Sequence, residues 1–171
     1  LRADGILFPG AVVADIGSGT GISSELFLAG GYDVVGVEPN AQMRAAAENV
    51  LTKYPHFRSR AGSAEATGLP DGSASLVVAA QAFHWFDPAQ ARAEVRRILR
   101  PGGWAVLVWN DRKTTTTPFL QAYEALLLGF ARDYLAVNHK EMDRKVLEDF
   151  FGPGGFTERI FPNRQIFDHA G

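Results

Sequence analysis

Short apolar runs alternate along most of the chain with segments whose apolar residues recur every three or four positions. The runs predict strands that begin at Val12, Asp33, Phe57, Leu76 and Trp104. The intervening segments predict helices with inward faces formed by Ile22, Leu26 and Ala29, by Met43, Ala46, Ala47, Val50 and Leu51, and by Ala91, Val95, Ile98 and Leu99. This alternation predicts an α/β fold with a doubly wound, mainly parallel sheet covered by helices on both faces.

Turn and capping residues mark the ends of these elements. The first helix is predicted over Ile22–Ala29 and is followed by two glycines. Asn40 is a suitable N-cap for the second helix, and Asp87 with Pro88 is suited to begin the third. The third helix is predicted to end at the Pro-Gly-Gly sequence of residues 101–103, before the strand Trp104–Trp109.

Beyond Asn110 the strand and helix alternation ends. Phe119, Tyr123, Leu126, Leu127, Phe130 and Tyr134 form one apolar face of a predicted helix, and Val137–Phe151 predicts a second, more charged helix. The two helices are expected to cover one face of the sheet, to form part of a lid over a substrate, or to do both. Ile160–Asp168 is a candidate sixth strand.

Two predicted strands carry acidic residues at their carboxyl ends, beside a glycine-rich turn. The first leads through Asp15 into a turn containing Gly17, Gly19 and Gly21, and the second ends at Glu38. Glycine permits positive φ and lets a ligand lie against bare backbone, while the next helix offers unpaired N–H groups. A carboxylate such as Glu38 accepts hydrogen bonds from both hydroxyls of a ribose, which predicts a nucleoside ligand. Asp15 would repel a pyrophosphate but favours a cationic amino-acid group, which argues against NAD.

Composition narrows the class of protein. Apolar residues make up 46% of the 171 residues and charged residues 21%, as in an ordinary globular domain. The net charge of −2 provides no basic field for a nucleic acid, and no apolar run is long enough to span a membrane. The chain has no cysteine, which excludes disulfides and thiolate chemistry and is compatible with a cytoplasmic enzyme.

The spacing of the glycines points to a particular family. They fall as G-S-G-T-G, without the G-x-G-x-x-G of dinucleotide-binding turns. The pattern D-x-G-x-G-x-G resembles the cofactor loop of the class I S-adenosylmethionine-dependent methyltransferases. The resemblance continues in family order through Glu38, Gly62–Asp87 and Ile98–Trp109. Within the class, the sequence A-F-H-W after the fourth strand is most similar to the small-molecule branch, and the N/D-P-P-Y tetrapeptide of amide and base methylating enzymes is absent.

The resemblance implies which residues hold S-adenosylmethionine and its product S-adenosylhomocysteine. They are Asp15, Gly17, Ser18, Gly19, Gly21, Glu38, Pro39, Met43, Ala64, Glu65 and Gln81. Ala64 and Glu65 correspond to the adenine site, although Glu65 also fits an exposed loop acid. Met43 fits either the core of its helix or a contact with adenine or ribose. Gln81 corresponds to the position that contacts the methionine part of the cofactor.

Candidate substrate residues follow the fourth and fifth strands. They are His84, Trp85 and Asn110, and His84 is also the candidate general base. The alternative for His84 is a structural histidine bonded to backbone. Trp85 and Phe86 fit either the border of a sulfonium, whose charge an aromatic face attracts, or the core. The remaining histidines are scattered without metal-ligand spacing, so no metal site is predicted.

The expected activity is transfer of a methyl group from the cofactor sulfonium to an O, N or C nucleophile of a small molecule. Such transfer needs mainly alignment and exclusion of water, so it does not require a catalytic base. The alternatives are an aminopropyl transferase, a nicotinamide enzyme or a cofactor-binding protein without turnover. Residues 1–171 are predicted to form one Rossmann-like domain with a cofactor-binding core (1–110), a helical cover or lid (111–155) and the start of a C-terminal sheet edge (156–171). Because family members have a further N-terminal helix and a closing hairpin, a truncated chain is expected.

Overall fold

The computed structural model describes residues 1–110, 113–131 and 144–163. The strands are β1 (Val12–Ile16), β2 (Asp33–Val37), β3 (Phe57–Arg60), β4 (Ala74–Ala80) and β5 (Leu99–Val108). The helices are α1 (Ile22–Ala29), α2 (Ala41–Val50), α3 (Pro88–Ile98), α4 (Pro118–Phe130) and α5 (Arg144–Phe151). The strands form a parallel sheet in the order β3-β2-β1-β4-β5. This order confirms the predicted doubly wound fold, and the reversal of strand order between β1 and β4 places a crevice at their carboxyl ends.

Alternate residues of the central strands pack into two separate hydrophobic cores, one on each face of the sheet. Val13 packs with Leu28 of α1 and with Leu51, which follows α2. Its neighbour Ala14 belongs to the opposite cluster, which contains Ile98 of α3 and other residues of α3 and α5. Successive side chains of a strand point to opposite faces, so a strand covered on both sides is apolar throughout. The uninterrupted burial of β4 from Ala74 to Ala79 has this cause.

The predicted helix boundaries are largely confirmed by cap geometry. Asn40 caps α2 by accepting hydrogen bonds from the N–H groups of Gln42 and Met43, at 2.9 and 3.2 Å. Asp87 caps α3 in the same manner, with Pro88 in the first turn. The carboxyl end of β2 is thereby followed directly by a capped helix start, which is the local geometry that ligand crevices of this fold use.

The predicted boundary between α3 and β5 is wrong. The helix ends at Ile98, three residues before Pro101, and β5 already begins at Leu99. The register of β4 with β5 shifts between the pair Ala74 and Leu99 and the pair Leu76 and Trp104, so residues 100–103 are an irregular extension of the strand. Proline lacks an N–H and disfavours helical backbone in the residue before it, which moves the end of the helix upstream.

The predicted inward face of α1 is wrong, since Ile22, Leu26 and Ala29 are all exposed, and the predicted inward face of α2 is only partly correct. In α1, Ile22 and Leu26 are 78% and 74% exposed, and the buried residues are Ser24 and Leu28. The buried face of α1 includes Ser24 because its hydroxyl donates a hydrogen bond to the buried carboxylate of Asp15. In α2, Ala47 is buried, as is Leu51 directly after the helix, whereas the predicted core residues Met43 and Val50 are exposed.

The C-terminal helices differ from one another in packing. α5 contacts α3 and buries Phe150 in the core, which agrees with a helix that covers the sheet. α4 has no residue that the described part of the chain buries, and Phe119 and Phe130 are 74% and 84% exposed, so a cover or lid role for this helix stays a prediction. The predicted helix start at Val137 lies outside the described residues. Ile160–Asn163 is not a strand, and the rest of that predicted strand also lies outside the described residues.

Candidate functional site

The glycine turn between β1 and α1 has the left-handed backbone that its sequence predicts. Gly17, Gly19 and Gly21 have φ values of 71°, 55° and 89°. A Cβ on Gly17 would lie 2.6 Å from the Cβ of Ala82, so the turn requires glycine to pass the segment after β4. A Cβ on Gly19 would meet no atom within 4 Å among the described residues. The backbone at Gly19 therefore faces open space at the carboxyl edge of the sheet.

Asp15 lies beneath this turn and is fully buried. Its Oδ2 accepts hydrogen bonds from the hydroxyls of Ser23 and Ser24, each at 2.6 Å. Its Oδ1 has no hydrogen-bond partner among the described residues. Burial raises the pKa of the Asp15 carboxyl, and the two serine hydroxyls oppose that shift. An orphaned buried carboxylate oxygen is costly, so its retention here indicates an acceptor that serves a ligand group or a water.

Glu38 connects the glycine turn to the start of α2. It directly follows β2 and is 7% exposed. Its Oε2 accepts the N–H of Gly19 at 3.0 Å, and its Oε1 accepts the N–H of Asn40 at 2.9 Å. The sequence did not reveal this backbone role. A carboxylate has about four acceptor positions, so two remain for ligand hydroxyls. Pro39, the next residue, is exposed, and its carbonyl accepts a hydrogen bond from Arg44 at 2.7 Å.

The predicted adenine residues lie in the loop between β3 and β4 and on α2. Met43 is 45% exposed, so its side chain is free to cover a bound ring and the core interpretation is wrong. Ala64 is buried and Glu65 is half-buried. Oε1 of Glu65 accepts the N–H of Asp87 at 2.9 Å, which ties the loop to the start of α3. Burial raises the pKa of Glu65, but hydrogen bonds from Ser63 and the Asp87 N–H outweigh it and leave the pKa lowered.

The segment after β4 has an unusual backbone at its first residue. Gln81 has φ +56°, the single positive value outside glycine among the described residues, and its side chain is exposed. Its N–H donates to the carbonyl of Val108 at 2.9 Å, which sets the segment beside the end of β5. Non-glycine residues rarely adopt this conformation, and where they do the strain often coincides with a functional site.

A short 3-10 helix, Phe83–Trp85, carries the candidate substrate residues. His84 is half-buried, and Trp85 is 73% exposed with its ring centroid 4.9 Å from that of His84. The exposure of Trp85 excludes the core interpretation. Phe86 is half-buried and approaches Gly17, where an added Cβ would lie 3.7 Å from the Phe86 ring. Asn110 is exposed just beyond the end of β5.

Direct contacts thus bring most of the predicted residues to one edge of the sheet. Gly19 contacts Glu38, Gly17 lies against the segment after β4, and Glu65 contacts the residue before α3. Ser18, also predicted, is buried, and its N–H donates to the carbonyl of Val37 at 3.2 Å. Trp85 and Asn110 lie at the same edge, at the ends of neighbouring strands, without a described hydrogen bond to the glycine turn.

Sequence reasoning missed the ion pair of α3, which joins a buried carboxylate to an exposed guanidinium. Glu94 is 9% exposed and pairs with Arg97, although it was not among the residues predicted to face the core. The spacing of an acid and a base three residues apart was the available signal. Within the part of the chain that the structure describes, no group of histidine, aspartate and glutamate side chains is arranged to hold a metal ion. No described helix is long and apolar enough to cross a bilayer.

Comparisons with known proteins agree with this geometry. The family model of the methyltransferase domain matches residues 14–107, more than half of the chain. An uncharacterised methyltransferase of Mycobacterium tuberculosis is 44% identical over 108 residues, which are 62% of this chain and 43% of that protein. The chain therefore spans less than half the length of this relative.

Solved structures share the fold. A protein of Anabaena variabilis, described as a methyltransferase from an antibiotic biosynthesis pathway, is 31% identical with a TM-score of 0.66. The match covers 84% of this chain and 56% of that one. A Methanococcus maripaludis protein described as S-adenosylmethionine-dependent is 22% identical, with a TM-score of 0.64 and coverage of 84% and 67%, a likeness that shows the fold.

Proposed function

The chain belongs to the class I S-adenosylmethionine-dependent methyltransferases, and on that premise we propose that it methylates an O, N or C nucleophile of a small molecule. The observation that carries the proposal is that two buried carboxylates adjoin the open glycine turn at the switch point of the sheet: Asp15 in the strand that leads into it, and Glu38, which accepts the N–H of Gly19.

The residues at this edge fit the cofactor of the family. The open space over Gly19 leaves room for a ligand against the backbone. Glu38 keeps two acceptor positions for ribose hydroxyls, and the orphaned Oδ1 of Asp15 suits a cationic group reached directly or through water. Ala64, Glu65 and Met43 would hold adenine, and Gln81 the amino-acid part. When bound, S-adenosylmethionine supplies a methyl group activated by a sulfonium.

The chain's own residues would mainly orient the reactants and exclude water. Trp85 has an exposed ring beside His84 in the 3-10 helix that follows β4. Asn110 follows the neighbouring strand, β5. An aromatic face favours an apolar or cationic acceptor, and the imidazole serves as proton acceptor where the nucleophile is a hydroxyl or an ammonium. Neutral, already nucleophilic acceptors need alignment alone. The mild acidity of the chain makes a nucleic-acid acceptor unfavourable, so we propose a small molecule.

Transfer of labelled methyl groups to a library of small acceptors tests the proposal. We expect label in one acceptor class and its loss in Trp85→Ala. Trp104→Ala is the matched control, because Trp104 is also an exposed tryptophan, at 53%, but lies along β5 away from its carboxyl end. Equal loss in both variants would contradict the placement of the acceptor at Trp85.

The same screen, together with a binding measurement, tests two of the alternatives. Cofactor binding with no labelled acceptor across the library would favour a binding protein without turnover. Tighter binding of decarboxylated S-adenosylmethionine than of the intact cofactor would favour an aminopropyl transferase. Either result would replace the proposed methyl transfer.

A further inference from the structure

Glu94 of α3 makes an unusually complete set of hydrogen bonds for a carboxylate outside the proposed site. Its Oε1 accepts the N–H and the hydroxyl of Thr67, at 2.8 and 2.5 Å, and Nη2 of Arg97 at 2.8 Å. Its Oε2 accepts Nε of Arg97 at 2.7 Å. Hydrogen bonds from Arg97 outweigh burial and lower the pKa of Glu94 to about 2. The carboxylate is therefore charged and saturated with donors at neutral pH.

Arg97 also makes contacts with the loop between β3 and β4. Its Nη2 also donates to the carbonyl of Leu69 at 2.8 Å, and its Nη1 pairs with Asp71. The N–H of Leu69 in turn donates to the Thr67 hydroxyl at 3.2 Å. Residues 67–71, which have no strand or helix of their own, are thus held by Glu94 and Arg97 of α3, which also pair with each other.

Thr67 directly follows a tight turn and packs against its first residues. Ser63 and Ala66 exchange backbone hydrogen bonds at 3.2 and 3.3 Å, closing the turn that contains Ala64 and Glu65. Gly62 packs so closely that a Cβ there would lie 2.9 Å from the carbonyl oxygens of Ala66 and Thr67. The turn is therefore positioned by Thr67, which is fully buried against Glu94.

We propose that Glu94 is a positioning residue that acts through Thr67 to hold the Ser63–Ala66 turn in place for the adenine ring. The proposal rests on the proposed function, in which Ala64 and Glu65 face adenine. Glu94 itself lies behind Thr67 and is buried, so its effect on ligand recognition is indirect. A displaced turn would lose the hydrogen bonds that distinguish adenine from other purines while leaving the ribose and amino-acid contacts intact.

The test compares two ligands that differ only at the purine: S-adenosylhomocysteine and its hypoxanthine analogue. Calorimetry on the purified protein gives the dissociation constant of the hypoxanthine analogue divided by that of S-adenosylhomocysteine. We expect Glu94→Gln to reduce this ratio roughly tenfold, the equivalent of one lost hydrogen bond. Thr67→Val removes one donor to the carboxylate and keeps the side-chain shape, and we expect a smaller reduction. Thr67→Ser keeps the hydroxyl and is expected to retain the wild-type ratio.

A matched control separates positioning from general destabilisation. Leu28→Ala truncates a buried residue of α1 whose core cluster contains no residue of the loop between β3 and β4. We expect this variant to lose stability but keep the ligand ratio. Faster amide hydrogen exchange confined to residues 62–71 in Glu94→Gln would support the proposal further.

Two results would overturn the positioning role without affecting the proposed function. One is a wild-type protein that binds S-adenosylhomocysteine but does not distinguish the hypoxanthine analogue. The other is a set of folded Glu94 and Thr67 variants that keep the wild-type ratio. A wild-type protein that binds neither ligand would instead contradict the proposed function itself.

Discussion

Replacement of Glu38 by alanine separates the backbone role of this carboxylate from its proposed role at the ribose. In the protein it accepts the N–H groups of Gly19 and Asn40, at 3.0 and 2.9 Å. Gly19 is half-buried and Asn40 is exposed, so water can reach both donors in the variant. We therefore expect the free energy of unfolding to fall by only about 1–2 kcal/mol, less than the cost of two fully buried orphans.

The loss of ligand affinity is expected to be larger. Two hydrogen bonds from ribose hydroxyls to a carboxylate are worth ~1.5–3 kcal/mol each and are not fully additive. Glu38→Ala should thus weaken S-adenosylhomocysteine binding by about 2–4 kcal/mol, or roughly thirty- to thousandfold in dissociation constant. Part of this loss reflects a less ordered glycine turn, and a second ligand isolates that part.

The assay is a double-mutant cycle in which the second change is made in the ligand. Calorimetry measures wild type and Glu38→Ala with S-adenosylhomocysteine and with an analogue that lacks both ribose hydroxyls. The analogue should bind both proteins about equally, apart from the effect of the turn. Urea unfolding confirms that the variant is folded. If the variant weakens both ligands by the same factor, Glu38 is only a backbone anchor and the ribose placement is wrong.

Three further variants test other parts of the site. Gly17→Ala should destabilise the protein by about 1–3 kcal/mol more than Gly19→Ala in urea unfolding, since only its Cβ would clash, with Ala82 at 2.6 Å; equal losses would contradict this. Gln81→Gly should relieve φ +56° and raise the free energy of unfolding by about 1 kcal/mol while weakening S-adenosylhomocysteine binding in calorimetry; unchanged affinity would remove Gln81 from the site. Burial raises the pKa of Asp15 in the folded protein, so the free energy of unfolding falls as pH rises from the ordinary aspartate pKa through the raised one. Asp15→Asn should therefore raise Tm at neutral pH; a lower Tm would refute this.

The sequence predicted the central layout of the fold because its signals are local. The α1 boundaries, Ile22–Ala29, and the N-caps Asn40 and Asp87 follow from residues next to one another in the chain. The glycine turn was predictable for the same reason, since positive φ at Gly19 depends on that residue alone.

Features that depend on contacts between distant residues were not predictable in this way. The buried face of α1 turns toward Ser24 because Asp15 accepts its hydroxyl, a bond that apolar periodicity does not register. The burial of Glu94 depends on Thr67, which is 27 residues away in the chain. A charged residue on a helix usually faces water, and only the loop packed over it makes this carboxylate an anchor.

The packing of α4 was not predictable for a related reason. Its sequence has an apolar face that includes Phe119 and Tyr123, and such a face ordinarily packs against a sheet. In the structure these two rings stack on each other, with centroids 6.2 Å apart, and none of the helix is buried by the described residues. Helical periodicity predicts that a face is apolar but does not specify what covers it.

Calorimetric titration of the protein with S-adenosylhomocysteine, and separately with NADH, tests the central claim most directly. Two carboxylates at the carboxyl edge of the sheet, Asp15 and Glu38, favour a nucleoside with a cationic amino-acid group over a pyrophosphate. We predict saturable binding of S-adenosylhomocysteine at one site and much weaker binding of NADH. Tighter binding of NADH, or no binding of S-adenosylhomocysteine by the folded protein, would contradict the assignment of this site.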